Sequence, residues 1–411
     1  MHSPVLNDTR IESRSARDQD WLAVAASATG LVFSIGTLSI YTFGVFVRPL
    51  TAEFNWSRTE LFGALAVSQY GLALSGPVWG MLTDRFGSRA IMLPSTALIS
   101  LLFASLALLT TNLWQLYLVF ALIPLLAGGA SPLGYSAVIV RKFERKLGQA
   151  LGLALMGVGL GATILPPMAQ TLVGEFGWRG AFAALGLITF LVTCPAALVA
   201  TRGLVRPAVS RDGADLTAVA AIVGTRVFML LCLLFVLIGT ISVGALAHLV
   251  PMMTDRGLTP AAAARVAALT GLAAIIGRGG LGFVLDRVHA SYVLAAVVLV
   301  AVTAYLLLVF AEGLLVVTIA AVFIGMVVGA EVDFISFLVR RYFDEVLYGR
   351  LYGIAFGLFV VGSGTGPLLL GACFDHFGSY LPGLLLFSAL GVLVAALALA
   401  LPAYSSAKGM Q

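Results

Sequence analysis

The sequence predicts an all-α membrane protein, with twelve transmembrane helices arranged as two pseudosymmetric six-helix bundles. Three observations carry that expectation. Hydrophobic residues make up 60% of the chain and charged residues only 10%, where a soluble domain carries about 25% charged. The apolar runs exceed the roughly 20 residues that span a bilayer, and twelve of them can be placed. The second half repeats motifs of the first at a fixed offset, as expected for two related bundles with a site between them.

Residues 1–20 are polar and mixed in charge and read as a cytoplasmic tail, disordered or lying at the interface. The apolar run that follows is too long for a signal-peptide core, so the first span is expected to stay uncleaved. Spans are expected at 21–48, 59–82, 90–110, 113–140, 147–173 and 179–201, which form the N-terminal bundle over 21–201. Spans at 225–252, 259–284, 290–311, 314–339, 348–374 and 381–402 form the C-terminal bundle over 225–402. The cytoplasmic central loop, 202–224, is the longest polar connection, and a second cytoplasmic tail covers 403–411. Orientation follows from the basic residues. Five lie on the outer side (Arg48, Arg58, Arg179, Arg256, Arg265) and Arg278 lies within the membrane, which leaves 18 of the 24 lysines and arginines on the inner side. That asymmetry puts both termini in the cytoplasm and the protein in the plasma (inner) membrane. The net charge of +5 therefore reflects topology and the lipid bilayer, not nucleic-acid binding.

Within this pattern one residue stands apart. Arg278 sits in the apolar stretch LTGLAAIIGRGGLGFVLDR of span 8, about 12 Å along a helix from Asp286, and so near the bilayer midplane. A permanent charge there costs about 3 kcal/mol or more, and it faces a partner or a polar cavity. Its planar donors suit a carboxylate; the alternative is an ion pair that only ties helices together. Glu331 and Asp333 are the only acids deep in a span, in span 10. Glu331 lies about 13 Å before Arg340, nearly at the depth of Arg278. A desolvated carboxylate near an arginine could take up a proton when a ligand displaces that arginine. Residues two apart point to opposite sides of a helix, so only one of the two acids is expected to face a common cavity. Tyr41, Ser131 and Tyr135 are further candidates for a small amphiphilic site, with Tyr70, Asn112 and Tyr117 as weaker ones. His248, three residues before Pro251, reads as a solvated histidine at the outer end of span 7.

The repeat sharpens the role of Arg278. Gly80, Asp84 and Arg85 recur as Gly282, Asp286 and Arg287, an offset of 202, while Gly161, Pro166 and Gly177 recur as Gly362, Pro367 and Gly378, an offset of 201. Arg278 falls opposite Gly76, so the arginine is not part of the shared scaffold. The cysteines Cys194, Cys232 and Cys373 are isolated in apolar runs and form no disulfide or metal-ligand pattern; they are expected to be buried. No phosphate loop, metal cluster or nucleophile elbow appears, so no enzyme activity, cofactor or metal is expected.

Gly80, Asp84, Arg85, Gly87 and Arg89 resemble the loop G-x-x-x-D-R-x-G-R-R/K of the major facilitator superfamily, with Ser88 in place of a basic residue and a degenerate copy at Gly282–Arg287. The resemblance covers essentially the whole chain. It implies the major facilitator fold, alternating access, and a charge clamp at Asp84, Arg85, Arg89, Asp286 and Arg287 that stabilises one state. Within that superfamily the chain resembles the monocarboxylate transporters: Tyr41-Thr-Phe-Gly-Val-Phe46 in span 1, Arg278 in span 8, and Arg145-Lys-Leu-Gly-Gln-Ala-Leu-Gly152 leading into span 5. Two departures stand out. The family's mammalian members carry an acid one turn before the arginine, where this chain has Ala274, and a lysine near the position of Tyr41. With these departures the resemblance implies a carboxylate-type substrate rather than a particular proton route; the leading expectation is a monomeric secondary transporter that binds a small organic anion, a monocarboxylate, at Arg278, in symport with a proton. An anion exchanger of the oxalate–formate kind is disfavoured because span 11 holds no lysine for a second carboxylate. An exporter of amphiphilic compounds and a ligand sensor without flux are the remaining alternatives.

Overall fold

The computed structural model describes residues 20–143, 146–204, 216–285, 287–343 and 347–402. Eleven helices in this region are long and apolar enough to cross a bilayer. One of them, Gln149–Ala200, has 52 residues and would measure about 78 Å if straight, far more than one crossing needs. It breaks at Gly177, whose φ of 66° and ψ of 174° are accessible to glycine and to almost nothing else. Split there it makes two crossings, which brings the total to twelve.

We number them α1 (Asp20–Phe54), α2 (Arg58–Phe86), α3 (Ser88–Ser105), α4 (Leu113–Lys142), α5 (147–176), α6 (178–200), α7 (Arg226–Ala247), α8 (Pro260–Leu285), α9 (Ala290–Phe310), α10 (Leu314–Tyr342), α11 (Tyr348–Phe377) and α12 (Leu381–Leu399). A short helix, Leu249–Asp255, extends α7. Another, Leu216–Val223, occupies the end of the expected central loop; its run of alanine, valine and isoleucine is helical rather than polar coil.

The sequence repeat is a structural repeat. Gly161 of α5 lies so close to α1 that a Cβ would overlap the carbonyl of Val32, and its counterpart Gly362 of α11 stands in the same relation to Val236 of α7. Gly177 and Gly378 both take a φ of 66° where their helices end. The bundles meet along two seams, α2 with α11 and α5 with α8.

Two breaks shape the interior. α1 is interrupted at 33–34 and resumes through a π-helical turn, Thr37–Tyr41, a distortion frequent at functional sites. α4 breaks at a 3₁₀ turn, Gly128–Ala130, and restarts with Ser131 as N-cap and Pro132 in the first turn. The Pro124 carbonyl near this break accepts instead from the Trp79 indole at 2.8 Å and from Ser75 Oγ at 3.1 Å, which ties α4 to α2.

Candidate functional site

Between the bundles lies a cavity of about 950 Å³ lined from α1, α2, α4, α5, α7, α8, α10 and α11. The two helix breaks deliver Tyr41 and Ser131 to its wall, and Arg278 and Glu331 line it as well. Arg278 of α8 donates through Nε to the Gly329 carbonyl at 3.2 Å and through Nη1 to the Leu155 carbonyl of α5 at 3.5 Å. Nε also lies 3.3 Å from Asp333 Oδ2. The guanidinium thus joins α8 to α10 and reaches across to the other bundle. Among the described residues its Nη2 meets no protein partner, and its side chain keeps 24% of its surface exposed.

The two acids of α10 divide as their spacing demands. Asp333 pairs with the arginine. Glu331 lines the cavity yet is almost fully buried, with Ser242 beside its carboxyl and no hydrogen bond made by Oε1. The resemblance places an acid at Ala274; here Ala274 is packed against Gly329, and the arginine draws its carboxylate from α10 instead.

Tyr135 lies elsewhere. It is wholly buried under Gly30 of α1 and is absent from the cavity lining. Its helix restarts at Ser131, and the intervening turn rotates position 135 into the N-terminal bundle. Tyr70 pairs with Thr365 Oγ1 at 3.0 Å, beside Gln69 Nε2, which donates to Ser363 Oγ at 2.7 Å. Asn112 caps α4 through Trp114 N at 3.1 Å, and the Tyr117 hydroxyl sits against Gly63.

His248 corrects the expectation of a solvated histidine. It is fully buried, with its ring stacked 3.6 Å from that of Phe62. Its Nε2 bonds the Pro367 carbonyl at 2.8 Å and its Nδ1 meets the Tyr380 hydroxyl at 3.0 Å. A carbonyl only accepts, so Nε2 carries a proton, and in the neutral ring Tyr380 O–H donates to Nδ1. Burial pushes the Tyr380 phenol well above its ordinary range, which Arg58 opposes, so that donor stays in place. Tyr380 in turn accepts from Arg58.

Arg58 anchors a set of contacts that sequence reasoning missed. It pairs with Asp255 Oδ2 at 2.7 Å and stacks its guanidinium 3.7 Å over the ring of Phe374. Asp375 at the end of α11 caps the start of α2, accepting from Arg58 N at 3.1 Å and Thr59 N at 2.7 Å, where the helix dipole favours an anion. These bonds close the gap between the bundles at the Arg58 face. At the opposite end Gln149, Gly152 and Gly279 line the cavity, and a Cβ added at Gly152, Gly279, Gly349 or Gly353 would meet nothing within 4 Å. Among the described residues the molecule is therefore closed at the Arg58 face and more open at the other.

At the open face Arg141 of α4 donates to Ser88 Oγ at 3.3 Å and to the Thr83 carbonyl at 3.4 Å, using the serine that replaces a motif cation. Arg85 and Arg89 are exposed, Gly80 lies in open space, and Gly87 takes a φ of 86° at the turn. Arg287 is exposed at the corresponding place after α8. The side chain of Asp84 and all of Asp286 fall outside the described residues. The three cysteines are unpaired and half-buried rather than fully buried.

Twelve crossings in two related bundles, closed over a central cavity from one side, define a membrane transporter. The family model described as "Major Facilitator Superfamily" matches residues 29–367, and the chain belongs to that superfamily; it is a multi-pass transporter of a small molecule and not an enzyme. It is 30% identical over 280 residues to Monocarboxylate transporter 13 of Bos taurus, covering 65% of this chain and 62% of the relative. It is likewise 30% identical over 259 residues to human Monocarboxylate transporter 11, covering 62% and 54%, so the match spans less than two thirds of either relative. Multidrug resistance protein MdtG of Escherichia coli is 25% identical over 390 residues, 92% of each chain. Among solved structures, a point mutant of the nucleoside transporter NupG superposes with a TM-score of 0.74 at 12% identity, over 93% of this chain and 99% of that one. A bacterial homologue of the lysosomal transporter Spinster, inward-facing and unoccupied, gives 0.70 at 15% identity over 95% and 99%. At those identities the structures speak for the fold alone.

Proposed function

We propose that this transporter moves small organic anions of the monocarboxylate class across the plasma membrane by alternating access, in symport with a proton and as a monomer. The carrying observation is Arg278, a guanidinium in the wall of the between-bundle cavity with one terminal nitrogen uncommitted to protein among the described residues. An incoming carboxylate takes the guanidinium in bidentate fashion, with Tyr41 and Ser131 on the facing wall. Asp333 then loses its counter-charge and takes up a proton. Glu331 is the second proton acceptor in reach of the same cavity. Both termini lie in the cytoplasm in this reading, so the open face is the inner one and the Arg58 face the outer one. The motif residues Gly80, Asp84, Arg85, Gly87, Arg89, Asp286 and Arg287 act at the inner face, where they clamp the opposite, outward-open state. The sequence similarity to named monocarboxylate transporters supports the substrate class.

Purified protein in liposomes tests this, with uptake of labelled carboxylates followed with and without an inward proton gradient. Uptake that the gradient accelerates is the expected result; no uptake of any carboxylate would overturn the reading. Export of amphiphilic compounds is the second reading, favoured by the largely apolar cavity wall and by the full-length similarity to MdtG. Drug-resistance phenotypes without carboxylate flux would support it.

A further inference from the structure

We propose that the anion carried here has an apolar body of phenyl or medium-chain size behind its carboxylate, and is not a three-carbon acid. The inference rests on reading Arg278 as the carboxylate anchor and goes beyond it to the rest of the cavity. At about 950 Å³ the cavity is at the upper end of the range, about 300–1,000 Å³, that encloses drug-sized ligands. Its charged lining residues are Arg278 and Glu331. Farther off, Gln69 Nε2 donates to Ser363 Oγ at 2.7 Å, leaving Gln69 Oε1 without a partner among the described residues, and the Ser34 and Thr37 hydroxyls pair at 3.1 Å.

The remaining wall is apolar. Leu153 and Met156 of α5 line the cavity and leave 48% and 37% of their surfaces exposed. Both line the space between the bundles, so part of that exposure faces the ligand path. Across from them α11 presents Phe356 and Phe359, with rings 6.1 Å apart and nearly parallel, and Ile275 stands one turn before the arginine. Phe359 is already buried, but a three-carbon acid bound at Arg278 would leave Leu153, Met156 and the exposed parts of Phe356 and Ile275 in water. A phenyl or alkyl body would cover them, and each buried methylene gains about fourfold in affinity.

The test is binding to the full-length chain in nanodiscs. Straight-chain acids from acetate to octanoate, together with phenylacetate, are titrated against wild type, Arg278→Ala and Phe356→Ala. We expect the dissociation constant to fall by about two- to fourfold per methylene over the middle of the series in wild type, and this dependence to vanish in Arg278→Ala. We also expect Phe356→Ala to weaken phenylacetate by about fivefold or more relative to acetate. Affinity that is flat with chain length, or highest for two- and three-carbon acids, overturns the inference and leaves the carboxylate anchor standing. Absence of binding by every acid, or equal binding by Arg278→Ala, overturns the anchor and the inference with it.

Discussion

Asp333 of α10 holds its Oδ2 3.3 Å from Nε of Arg278 on α8. The contact is made at the side of the guanidinium, so the pair can loosen without the arginine leaving the cavity wall. Both side chains are partly exposed, 24% and 36%, which limits the strength of the pair. It is suited to exchange one carboxylate for another.

The exchange makes a specific demand on Asp333→Asn. The amide removes the competing charge and the proton acceptor together. Carboxylate affinity should rise by roughly three- to tenfold, the effect of about 1 kcal/mol of released competition. Accumulation driven by a proton gradient should fall, while counterflow between two pools of substrate persists. Comparing gradient-driven uptake with counterflow in the same liposomes checks this.

The closed face makes a second demand. Arg58 holds Asp255 and Tyr380, and Asp375 caps α2. Arg58→Ala leaves a carboxylate and a phenol without their cation and should shift the population toward opening at this face. In a background with Cys194, Cys232 and Cys373 replaced by serine, Thr365→Cys reports the change. Its reaction with an impermeant thiol reagent supplied at the Arg58 face should accelerate about tenfold or more when Arg58 is removed, in line with the roughly 1.5–3 kcal/mol of a charged hydrogen bond.

His248→Phe separates stacking from hydrogen bonding at the same place. A phenyl ring can keep the stack on Phe62 but removes the bond to the Pro367 carbonyl and leaves the Tyr380 hydroxyl proton without its buried acceptor. The expected cost is about 1–3 kcal/mol, read as a lower melting temperature and as faster labelling in the assay used for Arg58→Ala. An unchanged melting temperature would mean that the two ring nitrogens contribute nothing.

The repeated glycines differ in a way that substitution can resolve. Gly378 has a ψ of 10°, the left-handed region that asparagine tolerates. Gly177 has a ψ of 174°, which is essentially restricted to glycine. Gly378→Asn should be nearly neutral, while Gly177→Asn should cost about 1–3 kcal/mol. Thermal melting of the two variants checks the difference.

Most of the fold could be read from the chain because a bilayer imposes a simple rule: long apolar runs become helices. The glycines at 161 and 362 recur in the sequence, and the structure puts both at matching α1–α5 and α7–α11 contacts, since a missing Cβ matters only where backbones approach. Arg278 could be read because a charge amid apolar residues is conspicuous. Its choice between Glu331 and Asp333 could not, because that depends on how α8 and α10 are rotated, not on depth along either. The closed face was hidden for a different reason. Arg58 and Tyr380 are 322 positions apart, each looks like an ordinary interfacial residue, and only the docking of the two bundles brings them together. His248 shows the same effect: proximity to a loop suggested water, whereas Phe62, Pro367 and Tyr380 arrive from other helices and enclose it.

The guanidinium itself is tested most directly by ligand-induced thermal stabilisation of purified wild type and Arg278→Ala, measured across a panel of carboxylates and their matched primary amides. Carboxylates should stabilise wild type, their amides should not, and neither should stabilise Arg278→Ala. Equal stabilisation of the variant, or amides that perform as well as acids, would contradict the assignment of Arg278 as the anion anchor.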